Sequence, residues 1–164
     1  ATGLQPNSIV KDRNNKLWVL CDGGYPVNPA GHERARLMKI DPYSMTILKE
    51  LPFPELSSSP SKLTVNNSRD TLYFIDGNWG GGSSPAKGVF RMSVDETELP
   101  GAAVISGEGH LFYGLGVDPG NSDIYCSDAI DYLQKGIIFR YSADGEKVDS
   151  FRAGVVPGHF AFKH

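Results

Sequence analysis

The chain has 164 residues, a formal net charge of -3 and no tract rich in lysine or arginine. A nucleic acid or an anionic membrane is therefore not the expected partner, and membrane insertion is not expected either, because no apolar run approaches the roughly 18 residues that a spanning helix needs. The 19 glycines and 11 prolines suit a fold in which many short strands are joined by turns.

One segment recurs three times along the chain. Residues Ser8–Leu20 reappear as Lys62–Phe74 and again as Gly114–Cys126. The second and third copies register at a spacing of 52 residues, and the first aligns with them after a gap of one residue. A repeat of this size predicts a modular array in which each copy is one structural unit packed on its neighbours.

Each copy predicts four short strands, because apolar residues alternate with polar ones in runs bounded by Asn, Asp, Gly and Pro. In the first copy they are Ser8–Lys11, Leu17–Cys21, Arg36–Ile40 and Thr46–Leu51. In the second they are Lys62–Val65, Thr71–Asp76, Val89–Met92 and Ala102–Ser106. In the third they are Gly114–Val117, Asp123–Ser127, Ile138–Tyr141 and Lys147–Phe151.

Four antiparallel strands in a repeat of roughly 50 residues are typical of a β-propeller blade. The predicted blades span residues 1–54, 55–107 and 108–154, and residues 155–164 are predicted to form the inner strand of a further blade. Three blades do not close a ring, since propellers usually have about four to eight. We therefore expect an all-β propeller fragment, the C-terminal half of a six- to eight-bladed ring, completed by an N-terminal half or by a second copy.

Several of these motifs also carry a family likeness. They are Pro6–Val19, Leu37–Pro42, Pro60–Leu63 and the ending Pro157–Lys163. In these motifs the chain resembles the bacterial surface-layer-type propellers, or YVTN-repeat proteins, which have quinoprotein dehydrogenase-like relatives. The resemblance implies a non-catalytic binding or scaffold module for a protein or glycan at the cell surface or in the periplasm. The Tyr-Val-Thr-Asn signature itself is replaced by Leu63–Asn67.

The connections between second and third strands are long, and long loops on a rigid scaffold are where binding residues concentrate. Aromatic and acidic side chains in and beside these loops predict a platform for a sugar, a peptide or another polymer. The candidate ligand-binding residues are Tyr25, His32, Trp79 and Tyr132, with Asp22, Asp76 and Asp128 at the rim. The alternative is that the aromatic residues cap the blades or pack against the rest of the ring.

A second candidate site lies where the central channel would open. Glu108 and His110 precede the innermost strand of the third blade, and His159 holds the comparable place before the last predicted strand. Together they suggest an acid–base or metal site in the channel, as in an enzyme of quinoprotein- or lyase-like type. Simple polar residues with satisfied hydrogen bonds are the alternative.

Other patterns carry less chemistry. The glycine-rich Gly77–Ser84 lacks the helix and the adjacent lysine of a phosphate loop. The four histidines show no metal-ligand spacing, so neither a metal nor another cofactor is expected. Cys21 and Cys126 are predicted to be buried thiols.

A basic residue recurs at one register of the third strands. These residues are Lys39, Arg91 and Arg140. We expect them to face solvent, with weak ion pairs between blades.

Overall fold

A computed structural model describes residues 2–25, 27, 31–77 and 87–163. Within these ranges the chain forms twelve β-strands and no helix. The strands make three four-stranded antiparallel sheets, each built from four consecutive strands. A helix with the length and apolar character to cross a membrane is absent from the described ranges.

The three sheets correspond to the three predicted blades. Blade 1 contains β1 (Pro6–Lys11), β2 (Leu17–Cys21), β3 (Arg36–Ile40) and β4 (Ile47–Pro52). Blade 2 contains β5 (Ser59–Val65), β6 (Thr71–Gly77), β7 (Gly88–Ser93) and β8 (Ile105–Ser106). Blade 3 contains β9 (Phe112–Val117), β10 (Ile124–Asp128), β11 (Lys135–Tyr141) and β12 (Lys147–Val155). The first strands contact one another in the order β1, β5, β9, so the blades follow one another along the chain.

The turn between the first two strands has the same construction in every blade. Its first side chain accepts a hydrogen bond from a backbone N–H farther along, and a later residue has a φ between 55° and 67°. The accepting residues are Asp12, Asn66 and Asp118, and the residues with positive φ are Asn15, Arg69 and Ser122. Asp and Asn favour such turns because their short side chains bond to the nearby backbone.

Two apolar cores hold the blades face to face. Alternate residues of a strand point to opposite faces of its sheet, so blade 2 can pack on both of its neighbours. On one side Leu72 and Phe74 pack with Trp18 of blade 1, and on the other Ile75 packs with Ile124 of blade 3. Each large side chain buried in this way contributes roughly 1.5–3 kcal/mol.

A buried carboxylate supports the first of these cores. Asp12 has no exposed surface and accepts hydrogen bonds from Lys16 N at 2.8 Å and Trp18 Nε1 at 3.0 Å. The Lys39 ammonium lies 3.3 Å from its second oxygen and donates to Val94 O of blade 2 at 3.1 Å. Burial by itself raises the pKa of Asp12, but the hydrogen bonds and Lys39 outweigh it and hold the pKa below its ordinary value.

The prediction that the aligned basic residues face solvent is wrong for Lys39, which is only 14% exposed between blades 1 and 2. Arg91 makes the analogous contact one blade farther on, donating to Ala143 O and pairing with Asp144 at 3.6 Å. Arg140 pairs with Asp149 of its own blade at 2.8 Å. The repeated basic position is therefore a link between blades wherever a following blade is present.

Several predicted strands differ in extent from the observed ones, and two fourth strands are the clearest cases. The fourth strand of blade 2, predicted over Ala102–Ser106, contains only Ile105 and Ser106, because Pro100 and Gly101 disfavour a strand just before it. The last strand of blade 3 runs on to Val155 instead of ending at Phe151.

Residues 157–163 form no strand, although they were predicted to be the inner strand of a further blade. They lie on the face of blade 3 that points away from blade 2. Ser127 Oγ donates to Pro157 O, and Phe162 meets the ring of Tyr125 at 5.4 Å. Gly116 makes room for this segment, since a Cβ there would lie 2.8 Å from Phe160 Cβ.

The buried carboxylate gives a direct stability test. We expect Asp12→Ala to lower the free energy of unfolding by about 2–4 kcal/mol, because it leaves Trp18 Nε1 and Lys39 without a buried partner. Asp118→Ala, at the matching turn of blade 3, removes a partly exposed cap and should cost about 1 kcal/mol or less. Urea unfolding followed by tryptophan fluorescence measures both. Equal losses would show that Asp12 acts only as a turn residue.

Candidate functional site

The long connections gather at one end of the blades, which we call the long-loop end. It is formed where second strands end, third strands begin and each blade passes to the next. Its described connections are residues 22–25, 27 and 31–35, then 53–58, 87, 107–111 and 129–134.

An aspartate lies at the end of the second strand in every blade: Asp22 follows β2, Asp76 is the next-to-last residue of β6 and Asp128 ends β10. Each accepts a hydrogen bond from a residue at or near the start of the first strand of its blade. Asp76 accepts from Ser59 N at 3.1 Å, and Asp128 accepts from Leu111 N at 3.1 Å. Asp22 accepts from the side chain of Asn7 at 3.4 Å. These bonds fix the start of each inner strand to its neighbour.

Two residues of the predicted acidic rim are turned into the protein. Asp76 and Asp128 are 3% and 5% exposed, so they do not present open carboxylates to a ligand. Asp22 is half-buried and also accepts from Gly24 N at 3.0 Å. A ligand role for these residues stays a prediction.

A charged group, the Lys87 cluster, is assembled around Asp76 and consists of Glu55, Ser58, Asp76 and Lys87. The Lys87 ammonium lies 3.0 Å from Asp76 Oδ2, 3.3 Å from Glu55 Oε2 and 2.6 Å from Ser58 Oγ. Burial raises the pKa of Asp76 and outweighs the opposing effect of Lys87. The three donors of the ammonium are thus matched by three acceptors.

An apolar cavity of about 180 Å³ adjoins the Lys87 cluster. Phe74 is its central wall, with Phe90 stacked on it at 5.6 Å and Phe53 edge-on at 5.7 Å. Asp76 and Lys87 also line the cavity. Because small-molecule pockets usually measure roughly 300–1,000 Å³, this cavity suits a single side chain better than a cofactor.

The predicted channel-mouth residues do not share a described contact. His110 Nδ1 lies 2.9 Å from Asp128 Oδ2, and its ring stacks on Phe112 at 5.2 Å. Glu108 and His159 are exposed. The His110–Asp128 pair orients the imidazole, but a catalytic site also needs a reacting group, so the acid–base site stays a prediction.

The predicted aromatic platform is only partly described. Tyr25 is 48% exposed in blade 1, His32 is half-buried, and Tyr132 of blade 3 is 37% exposed with its ring edge-on to Tyr113 at 5.8 Å. Trp79 and most of the glycine-rich Gly77–Ser84 lie outside the described residues.

Exposed aliphatic side chains at the long-loop end were missed by the sequence analysis. Val27 is 92% exposed, Leu133 is 83% exposed and Leu56 is 50% exposed. The three residues lie in different connections: Val27 between β2 and β3, Leu56 between β4 and β5, and Leu133 between β10 and β11. Single aliphatic residues in loops show no hydrophobic periodicity. Only their position in the long loops could have indicated that they are exposed at this end.

The cysteines and potential metal ligands complete the description. Cys21 and Cys126 are buried free thiols, as predicted, and burial raises the pKa of both. Across the described ranges, His, Cys, Asp and Glu side chains form no group of three able to hold a metal ion.

The comparisons with known proteins support the propeller fold. No protein-family model matches the chain, and no match is found among curated proteins. Among solved structures the chain is similar to the Dos1 propeller, with a TM-score of 0.57 and 17% identity. The similarity covers 94% of this chain and 39% of the Dos1 chain, so the chain spans about two fifths of that protein. The chain is thus a set of propeller blades, and the prediction of an all-β propeller fragment is confirmed.

The Lys87 cluster predicts a pH dependence. Above its ordinary pKa of 3.8, Asp76 loses its proton in the unfolded chain before it does so in the folded one. Stability therefore falls as the pH rises from about 4 to the raised pKa of Asp76. Because Asn does not titrate, the difference in unfolding free energy, wild type minus Asp76→Asn, should fall across this window and then level off.

A matched variant, Asp131→Asn, should give a difference in unfolding free energy that changes with pH in the opposite direction. Backbone hydrogen bonds from Gln134 and Leu133 lower the pKa of the exposed Asp131. Its contribution is present above the unfolded pKa and is lost as the pH falls through the folded pKa. Denaturant unfolding between pH 3 and 8 compares Asp131→Asn with Asp76→Asn. Slopes of the same sign in the two difference curves would contradict the assignment.

Proposed function

We propose that this chain is a non-catalytic β-propeller module that binds a protein partner through its long-loop end. One observation carries the proposal: exposed apolar side chains lie in three of the connections that share this end. They are Tyr25, Val27, Leu56, Tyr132 and Leu133. Because the connections of one end face the same side of the blades, a single partner could cover these side chains together, and an apolar surface covered in this way is typical of a protein interface.

A protein is favoured over a glycan as the ligand. Sugars bind mainly to flat aromatic rings with hydrogen-bonding groups beside them, whereas Val27, Leu56 and Leu133 offer aliphatic surface. Two of the acidic groups that could have bound sugar hydroxyls, Asp76 and Asp128, are buried against the protein itself. A glycan ligand is the alternative outcome of the test below.

The blades supply the rigidity that such a surface needs. Asp76 and Asp128 hold the starts of the inner strands, and the His110 ring is held between Asp128 and Phe112. Loops on a fixed base lose less conformational entropy on binding than loops on a mobile one. The arrangement suits recognition by a preformed surface.

The surface-layer-type family and an extracytoplasmic location belong to the same proposal and stand on the sequence resemblance alone. So does completion of the ring by an N-terminal half or a second copy. Fractionation of cells that express the full gene product would test the location, and a cytoplasmic product would remove that part of the proposal.

The binding surface can be tested with charge substitutions. Val27→Asp and Leu133→Asp place a carboxylate on the long-loop end. Tyr43→Asp is the matched control, since Tyr43 is 88% exposed in the turn between β3 and β4, at the opposite end. The labelled protein is applied to arrays of peptides and glycans. We expect binding to peptides that drops at least tenfold in both long-loop variants and not in Tyr43→Asp.

Three results would contradict the proposal. Binding to glycans alone would replace the protein ligand with a sugar. Equal losses in all three variants would mean that the long-loop end is not the surface. No binding to either array by a folded protein would remove the binding function as proposed.

A further inference from the structure

Among the described residues, the outer strand of blade 2 is very short. In blades 1 and 3 the fourth strands have six and nine residues and pair along their neighbours. In blade 2 the fourth strand, β8, has two residues and pairs only with Gly88 and Val89. The rest of β7, from Phe90 to Ser93, has no described strand beside its outer edge.

The hydrogen bonds of β7 show which of its backbone N–H and C=O groups face the outer edge. Lys87 O and Val89 O accept from Gly107 N at 3.2 Å and Val104 N at 2.8 Å, so odd-numbered residues point outward. By the same alternation Arg91 and Ser93 direct backbone groups away from β6. In the described part of the chain, the Arg91 N–H and C=O and the Ser93 N–H receive no strand partner from β8.

Empty space lies on both sides of this edge. Toward blade 1 is the apolar cavity of about 180 Å³ with Phe74 and Phe90 in its wall. Toward blade 3 is a more open, polar groove of about 540 Å³ lined by Tyr73, Glu96 and Glu98. Leu99 and Pro100 line both spaces, so the two spaces meet at this segment.

We propose that the outer edge of β7 binds an extended peptide as the missing fourth strand of blade 2. The peptide's backbone pairs with Arg91 and Ser93. Because successive side chains of a strand point to opposite faces, one set enters the apolar cavity and the other faces the polar groove. This site is separate from the long-loop end and does not rest on the function proposed for it.

The charge of the groove determines which peptide side chains we expect to face it. Glu96 and Glu98 are exposed there, while the Arg91 guanidinium already donates to Ala143 O and pairs with Asp144. The groove therefore favours lysine or arginine, and the cavity favours an aliphatic or aromatic side chain. The expected partner is a peptide in which apolar and basic residues alternate.

Amide hydrogen exchange tests the backbone pairing. The probe is the peptide acetyl-Thr-Val-Lys-Val-Lys-Val-Thr-amide, added to the ¹⁵N-labelled full chain. We expect exchange of the Arg91 and Ser93 amides to slow by roughly tenfold or more at saturation, because both join a strand ladder. A peptide of the same composition, acetyl-Thr-Lys-Lys-Val-Val-Val-Thr-amide, should bind at least fivefold more weakly.

Variants test the two sides of the edge. Gly101 lines the apolar cavity, and a Cβ there meets nothing within 4 Å, so Gly101→Leu should add bulk at the cavity wall without disturbing the fold. Gly154→Leu is the matched control, since a Cβ at Gly154 in β12 also meets nothing within 4 Å. We expect Gly101→Leu to weaken binding at least tenfold and Gly154→Leu to leave it unchanged.

On the groove side, Glu98→Lys should weaken binding at least fivefold. Glu146→Lys makes the same charge change in the exposed turn of blade 3 and should have little effect. Thermal unfolding confirms that every variant is folded.

Several results would overturn the proposal. Slow exchange of the Arg91 and Ser93 amides without peptide would show that the chain already covers this edge. Equal binding of the two peptides, or equal losses in Glu98→Lys and Glu146→Lys, would show attraction by net charge alone. Unchanged binding in Gly101→Leu would exclude the cavity. Loss of binding in Leu133→Asp would place the peptide at the long-loop end instead.

Discussion

Packing of one sheet face on the next is the interaction on which this structure depends. Strand alternation gives blade 2 two apolar faces, with Leu72 and Phe74 on one side and Tyr73 and Ile75 on the other. Neither face is stable in water, so each sheet needs a neighbour, and the chain supplies one on both sides of blade 2. The polar links between blades, from Lys39 to Val94 and from Arg91 to Ala143, are secondary, because they position faces that are already buried.

The same constraint determines where a functional surface can lie. The faces are used for packing, so only the two ends and the outer edges of the blades can meet a partner. At the long-loop end the aspartates that close each second strand are turned inward to hold the backbone. Carboxylates that resemble site residues in the sequence, such as Asp76 and Asp128, are buried and accept backbone hydrogen bonds that hold the fold. The surface that remains for recognition includes exposed apolar side chains, such as Val27 and Leu133.

The sequence predicted the repeats, the strand order and two strands to the residue, Leu17–Cys21 and Arg36–Ile40, because these follow from period two and turn chemistry. It could not predict side-chain placement that depends on a neighbouring blade. Lys39 has the pattern of a solvent-facing residue, yet it is covered by blade 2. The Lys87 cluster was missed for a related reason: Glu55, Asp76 and Lys87 are far apart in the sequence and meet only where the β4–β5 connection reaches the end of β6 and the start of β7.

The short outer strand of blade 2 has a cause in the adjoining interface. The segment after β7 is held by blade 1: Arg13 pairs with Asp95, and Lys49 donates to Glu96 O. These contacts draw the segment toward blade 1 and away from the edge of β7, while Pro100 lacks the N–H that a strand there would need. The residues that strengthen the interface of blades 1 and 2 are thus the ones that leave β7 uncovered. An open strand edge is an aggregation hazard, and the charges of Glu96 and Glu98 in the adjoining groove disfavour unselective pairing there.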